Sequence, residues 1–190
     1  MFLVLISQQK FSVFPKQHTE GVIMSNTQNA IPMEHERRFF PPFSTELPVG
    51  IAEFAPQTEI CQSYLEDAER TRIREEVCGE VRVYTRTRKV GSGISRSEDE
   101  MVIGRQEYLT LLEKATCSLK KMRHYLECDG IQFQFNTYRE ELDGYRQIEV
   151  EFGSHEEAVA FVPPEWFGKE VTDDSAHGNY SLAKNGIPRE

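Results

Sequence analysis

From Met33 onward the chain falls into stretches in which residues i and i+2 match in character. That is the period of a β-strand, whose alternate side chains point to opposite faces. Eight such stretches stand at about 33–39, 59–66, 69–76, 81–89, 94–103, 118–127, 130–138 and 145–152. On most of them the charges share one face: Glu34, Glu36 and Arg38; Arg70, Arg72 and Arg74; Arg96, Glu98 and Glu100; Lys121 and Arg123; Glu149 and Glu151. On the last stretch the opposite face is Ile148, Val150 and Phe152, which must pack against something apolar. A wet outer face is the ordinary place for such charges. The alternative closes the eight strands into an antiparallel barrel with the charges inside, and eight strands leave an interior of side-chain or small-ligand size. A channel lined by both signs suits a polyanion carrying a divalent metal. Carboxylates hold Mg2+ or Mn2+, and Arg and Lys hold phosphate oxygens.

The connections fit a compact β domain. Gly79 and Gly130 mark tight turns and Gly91 and Gly93 another, while Pro41, Pro42, Pro48 and Pro56 make residues 40–58 a loop. Residues 105–114 have helical spacing, with Tyr108, Leu111 and Leu112 on one side. Ser154 and Glu157 form a capping box that opens a helix through Phe161. Thr172 is placed to cap a last helix that closes near Gly186 with Pro188 beyond. The fold class is therefore α+β, mainly β, with a few helices covering the strands' apolar face.

Residues 1–32 lack any period and carry no signal-peptide pattern, so they are expected to be a disordered N-terminal extension, or sequence upstream of a start at Met24 or Met33. Residues 33–190 form the domain. The 22 Lys and Arg against 31 Asp and Glu give a net charge of −9, which argues against a nucleic-acid binder. No apolar run approaches the roughly 20 residues that span a bilayer, so no membrane partner is expected. Cys61, Cys78, Cys117 and Cys128 show no CxxC spacing and read as reduced, buried residues of a cytoplasmic protein. His35, His124 and His177 form no cluster and read as surface or packing residues, and Trp166 as a packing aromatic.

The segment Glu34-His-Glu36-Arg-Arg38 resembles the ExExK signature that opens CYTH domains, also called triphosphate tunnel metalloenzymes. Six further segments follow in the family's order. Gln62-Ser-Tyr64-Leu65 resembles its second strand, Arg72-Ile-Arg74 its RxR, Thr87-Arg-Lys89 its TxK and Arg96-Ser-Glu98-Asp-Glu100 its RxExE. Lys121-Met-Arg123 resembles its KxR and Glu149-Val-Glu151 its closing ExE. The tail, from Pro163-Pro164-Glu-Trp166-Phe-Gly168 to Asn179-Tyr-Ser-Leu182-Ala183, is similar to the end of bacterial members, so the resemblance runs from Met33 to Pro188. Two positions depart from the pattern. Arg38 stands where the family has Lys, and Asn136 where it often has Asp. Arg keeps the charge but cannot act as a base, and Asn loses the charge.

The resemblance implies the closed eight-stranded antiparallel barrel, a tunnel with the charges inside, and hydrolysis there of a triphosphate, most simply inorganic tripolyphosphate, with Mg2+ or Mn2+. It implies phosphate contacts from Arg72, Arg74, Lys89, Arg96, Lys121 and Arg123, and metal binding by Glu34, Glu36, Glu98, Glu100, Glu149 and Glu151. Arg38 and Tyr64 are implied beside the scissile end. A class IV adenylyl cyclase and a non-catalytic polyphosphate-binding module are the alternatives, and a homodimer is a further expectation.

Overall fold

The computed structural model describes residues 11–13, 33–42, 57–67, 71–90 and 94–189, with the side chains of 11–13, 89–90 and 95–98 set aside. The strands are β1 (Phe11–Val13), β2 (Met33–Phe40), β3 (Gln57–Leu65), β4 (Arg72–Cys78), β5 (Val81–Val90) and β6 (Ser95–Val102), then β7 (Ala115–Cys128), β8 (Ile131–Tyr138), β9 (Arg146–Phe152) and β10 (Lys169–Glu170). The helices are α1 (Arg105–Leu112), α2 (His155–Ala160) and α3 (Asn179–Asn185). The fold is α+β and mainly antiparallel sheet. Its ladder order is β1-β7-β3-β4-β5-β6-β2-β9-β8; β7 pairs in addition with β8, and β10 pairs with β2.

Strands β2 to β9 are the eight period-two stretches. Gly79 and Gly130 adopt φ of 57° and 80° in the hairpin turns, as expected. The turn at Gly91 and Gly93, most of the 40–58 loop and Arg70 lie outside the described residues. So do residues 1–32 apart from Phe11–Val13, which pair with Leu126–Cys128 at the end of β7.

One face of the sheet is apolar and covered. Phe39, Phe133, Phe135, Ile148, Val150 and Phe167 form one buried cluster with Phe161 and Trp166 packed on it. Ile73 and Ile103 pack under Tyr108 of α1 in another. Burying each large side chain contributes roughly 1.5–3 kcal/mol, so these clusters fix which face of each strand lies under its apolar cover and which carries the polar residues. Ser154 Oγ accepts from Glu157 N at 3.1 Å, the predicted cap of α2.

Two expectations are corrected. Thr172 caps no helix: α3 begins at Asn179 after Gly178, and the Thr172 hydroxyl instead bonds Arg38 N and Glu170. Of the four cysteines, all free, only Cys128 is buried, and Cys78 is exposed because it ends β4 at the hairpin turn.

Candidate active site

Register partners on neighbouring strands share a face. Tyr64 on β3 pairs with Arg72, Arg72 with Thr87 and Thr87 with Glu100; Gln62 pairs with Arg74 and Arg74 with Thr85. Across β7 and β8, Lys121 pairs with Tyr138 and Arg123 with Asn136. Gln134 pairs with Glu149, Glu149 with Arg38, Glu36 with Glu151 and Glu34 with Arg96. Lys89 pairs with Glu98. One continuous polar face therefore carries the described site positions singled out in the sequence; most of its cations and Glu36 and Glu149 are buried, while Glu100 and Glu151 reach solvent. Lys121 is 1 % exposed, Glu149 3 %, Arg72, Arg123 and Glu36 6 %, and Arg74 8 %. Arg82 and Arg86, on the other parity, pair with Glu75 and Glu107 toward solvent.

Buried charge demands a partner, and the pairs fall into three groups. Across β4, β5 and β6 Arg72 Nη2 donates to Thr87 Oγ1 at 3.1 Å and meets Glu100 Oε2 at 3.3 Å, and Thr87 donates to the same carboxylate at 2.8 Å. Burial opposes ionisation of Glu100, but Arg74, Arg72 and the Thr87 hydroxyl outweigh it and hold its pKa low. Beside them Arg74 Nη1 meets Glu76 Oε1 at 2.9 Å.

On β7 and β9 Glu149 lies between two cations. Lys121 Nζ is 3.3 Å from its Oε1, and Arg123 Nη2 bonds its Oε2. Burial works against its charge, yet Lys121, Arg123, Arg38 and Arg74 hold its carboxyl far below the usual range. Burial pushes the Lys121 ammonium down to about 7, with Arg123 and Arg74 adding to that and Glu149 opposing. Asn136 Oδ1 accepts from Arg123 Nε at 2.9 Å, so the residue that departs from the family pattern orients an arginine.

The third group is anionic. One carboxylate oxygen from each of Glu34, Glu36 and Glu151 lies within 4.8 Å of the others. Burial, Glu36 and Glu34 raise the pKa of Glu151, against the pull of Arg123 and of the Gln134 amide, which donates at 2.6 Å. Three hard oxygen donors at this spacing fit a Mg2+ or Mn2+ ion.

Of the six glutamates expected as metal ligands, three come together. Glu149 and Glu100 are held by cations instead, and Glu98 is placed by register alone, as are Lys89 and Arg96. Tyr64, implied beside the scissile end, lies beneath Tyr180 with ring centroids 5.3 Å apart. Its hydroxyl accepts from Gln62 Nε2 at 2.7 Å, and burial pushes its pKa up to about 12 against Arg72 and Arg74. Arg38 directs its Nη atoms to the carbonyls of Thr172 and His177.

Glu76, Gln62, Gln134 and Tyr138 were missed. Glu76 continues the parity of Arg72 and Arg74 and was legible on that ground; the neutral residues carry no such signal. Gln62 Oε1, Arg74 Nε, Thr85 Oγ1 and Gln134 Oε1 are buried on or beside this face without hydrogen bonds among the described residues, which suits a polar ligand in contact with it.

No family model matches the chain. It is 37% identical over 103 residues to an inorganic triphosphatase of Nitrosomonas europaea, an alignment covering 53% of this chain and 68% of that protein. It is 30% identical over 105 residues to an inorganic triphosphatase of Acetivibrio thermocellus, covering 54% and 65%. The crystal structure of the inorganic triphosphatase NE1496 superposes with a TM-score of 0.51 at 25% identity, covering 82% of this chain and 97% of that one. HpAC1 from Hippeastrum, described as an adenylyl cyclase with a dominant triphosphatase activity, gives 0.51 at 13% identity over 83% and 97%, a likeness of fold alone.

Proposed function

The chain belongs to the CYTH, or triphosphate tunnel, family that includes the inorganic triphosphatases, and on that footing we propose that it hydrolyses inorganic tripolyphosphate to pyrophosphate and phosphate. The observation that carries this reading is the buried face itself. It bears a cation-rich patch and a carboxylate cluster on one continuous surface. Because β7 pairs with both β3 and β8, the order of strands returns on itself, which supports reading β2 to β9 of residues 33–190 as a closed eight-stranded tunnel around that face. Residues 1–32 remain proposed as an extension to it.

In this reading Arg72, Arg74, Lys121 and Arg123 bind the phosphates from opposite walls, joined through register by Lys89 and Arg96. Phosphoryl transfer asks for charge neutralised along the chain of phosphates and for fixed geometry, and buried guanidinium groups provide both. Asn136 orients Arg123. Tyr64 stays protonated at any working pH, and with Gln62 donating to its oxygen its own O–H is left to donate to a phosphate. Glu34, Glu36 and Glu151 would hold a divalent cation, Mg2+ or Mn2+, which supplies Lewis-acid polarisation of phosphate oxygens when bound. The four free cysteines fit a reducing compartment such as the cytoplasm. Among the described residues no helix is long and apolar enough to cross a membrane.

The test is product analysis with Mg2+ or Mn2+ and either tripolyphosphate or ATP. Phosphate released from tripolyphosphate, and abolished by chelation, is the expected result. Cyclic AMP from ATP would instead make the protein a cyclase, and saturable tripolyphosphate binding without turnover would make it a binding module.

A further inference from the structure

Arg38 stands between two anchors. Its Nη2 donates to Thr172 O at 2.6 Å and its Nη1 to His177 O at 3.5 Å, while Nε lies 3.6 Å from Glu36 Oε1. The backbone of the same residue is tied to the same segment: Arg38 N donates to Thr172 Oγ1 at 3.1 Å, and Val171 N donates to Arg38 O at 2.8 Å.

Residues 171–178 form a strap that needs such ties. Its regular structure is a single 3-10 turn over Ser175–His177. It is delivered by Gly168, at φ 77°, where a Cβ would collide with the Phe40 carbonyl. It leads directly into α3, which carries three contacts to the polar face. Tyr180 packs on Tyr64, Asn179 Oδ1 accepts from Tyr138 OH at 2.5 Å, and Leu182 joins Leu119, Tyr138 and Tyr145. Tyr138 in turn places its ring 5.6 Å from Lys121 Nζ. Gln147 Nε2 reinforces the strap by donating to His177 O at 2.9 Å.

We propose that Arg38 is a positioning residue, a latch that holds the strap and through it the α3 contacts to Tyr64 and Tyr138, and that it binds no phosphate. A planar fork reaches two carbonyls, those of Thr172 and His177, while its Nε side still faces Glu36. An ammonium group is a single point and cannot satisfy all three. The departure from lysine at this position thus has a partner in the strap.

The kinetic arm of the test rests on the triphosphatase reading; the hydrogen-exchange arm does not. In Arg38→Lys the amides of Val171, His177 and Gly178 should exchange at least tenfold faster while those of β7 and β8 are unchanged. Turnover of tripolyphosphate should fall several-fold in kcat with KM within twofold. A KM raised more than fivefold with unchanged strap exchange would make Arg38 a phosphate ligand and overturn the latch. Unchanged exchange overturns it whatever the kinetics. Should Arg38→Lys not fold, Gly178→Ala approaches the same contact from the strap, since its Cβ would lie 3.2 Å from Ser175 O and 3.7 Å from Arg38 Nη1. The same faster exchange and the same split between kcat and KM are expected, and unaltered exchange overturns the proposal.

Discussion

Glu149 and Glu151 are two residues apart on one strand, point the same way and have the same side chain, yet their surroundings are opposite. Glu149 is held low by Lys121 and Arg123, with Arg38 and Arg74 contributing from further off. Glu151 is pushed up, with Glu36 and Glu34 adding to its burial. Around Glu149 cations outnumber the carboxylate between them; around Glu151 carboxylates outnumber cations. Neither surplus is tolerated without a cost, which is greater around the buried Glu149 than around the solvent-exposed Glu151, so each surplus defines the ligand that relieves it. The cationic group suits phosphate, and the anionic group suits a metal ion. The division of labour is set by register rather than by residue type.

If this contrast is right, removing Glu149 does the most damage. Glu149→Ala leaves Lys121 and Arg123 buried without their shared anion, and breaking a buried ion pair from one side destabilises by about 3–5 kcal/mol. Urea denaturation of the ligand-free protein should show a loss of this size. A loss below about 1 kcal/mol would mean that solvent reaches this pair and that the two groups do not differ as described.

Next in size is the response to metal. Mn2+ or Mg2+ bound only by the native state stabilises by about 2.7 kcal/mol at a hundred times its dissociation constant. The thermal midpoint should rise accordingly in the wild type and in Lys121→Met, but not in Glu36→Gln. Protection retained in Glu36→Gln would move the cation away from the anionic cluster.

Much of this was legible in the sequence, and for a physical reason. Side-chain alternation has a period of exactly two residues on every strand, so the parity of Glu34, Glu36, Arg72, Arg74, Lys121, Arg123, Glu149 and Glu151 told which residues share a face. Parity says nothing of which strand lies opposite, and that decides which glutamates meet. Glu36 opposes Glu151 and Glu149 opposes Arg38 because β2 and β9 pair in one register; a two-residue slip would keep every face and exchange the partners. The strap was hidden for a related reason. Thr172 followed by polar residues reads locally as a helix cap, and it is the distant Arg38, together with Glu170, that draws its hydroxyl and carbonyl elsewhere. The outward pair of Arg37 with Glu170, at 2.6 Å, is likewise non-local.

A smaller effect separates the two groups by pH. Lys121 ionises near 7 in the folded protein against 10.5 for an ordinary lysine. Between those values the unfolded chain binds more protons than the native one, so this group makes stability rise with pH, by at most about 1.4 kcal/mol per pH unit. Other groups titrate in the same range, so the measurement is the difference between wild type and Lys121→Met. From pH 7 to pH 8.5 the wild type should gain stability relative to the variant. Parallel curves would show that Glu149 keeps Lys121 charged throughout.

The smallest effect has the opposite sign to the first. Glu151→Gln is nearly isosteric, and the new amide oxygen can still accept from Gln134 Nε2. What disappears is one negative charge beside Glu34 and Glu36, together with an attraction to Arg123 that Glu149 already satisfies at closer range. Solvent reaches Glu151, so the relieved repulsion is screened, and the gain in stability of the ligand-free protein should be no more than about 1 kcal/mol. The metal-induced rise in midpoint should shrink at the same time, because the cluster has lost a ligand charge. Calorimetry of the variant with and without Mn2+ reads both. Stabilisation without metal and weakened response to metal are expected together, since one charge causes both. A loss of about 2 kcal/mol or more in the ligand-free protein would instead make Glu151 a second anchor for Arg123, and the two glutamates would then differ in degree rather than in kind.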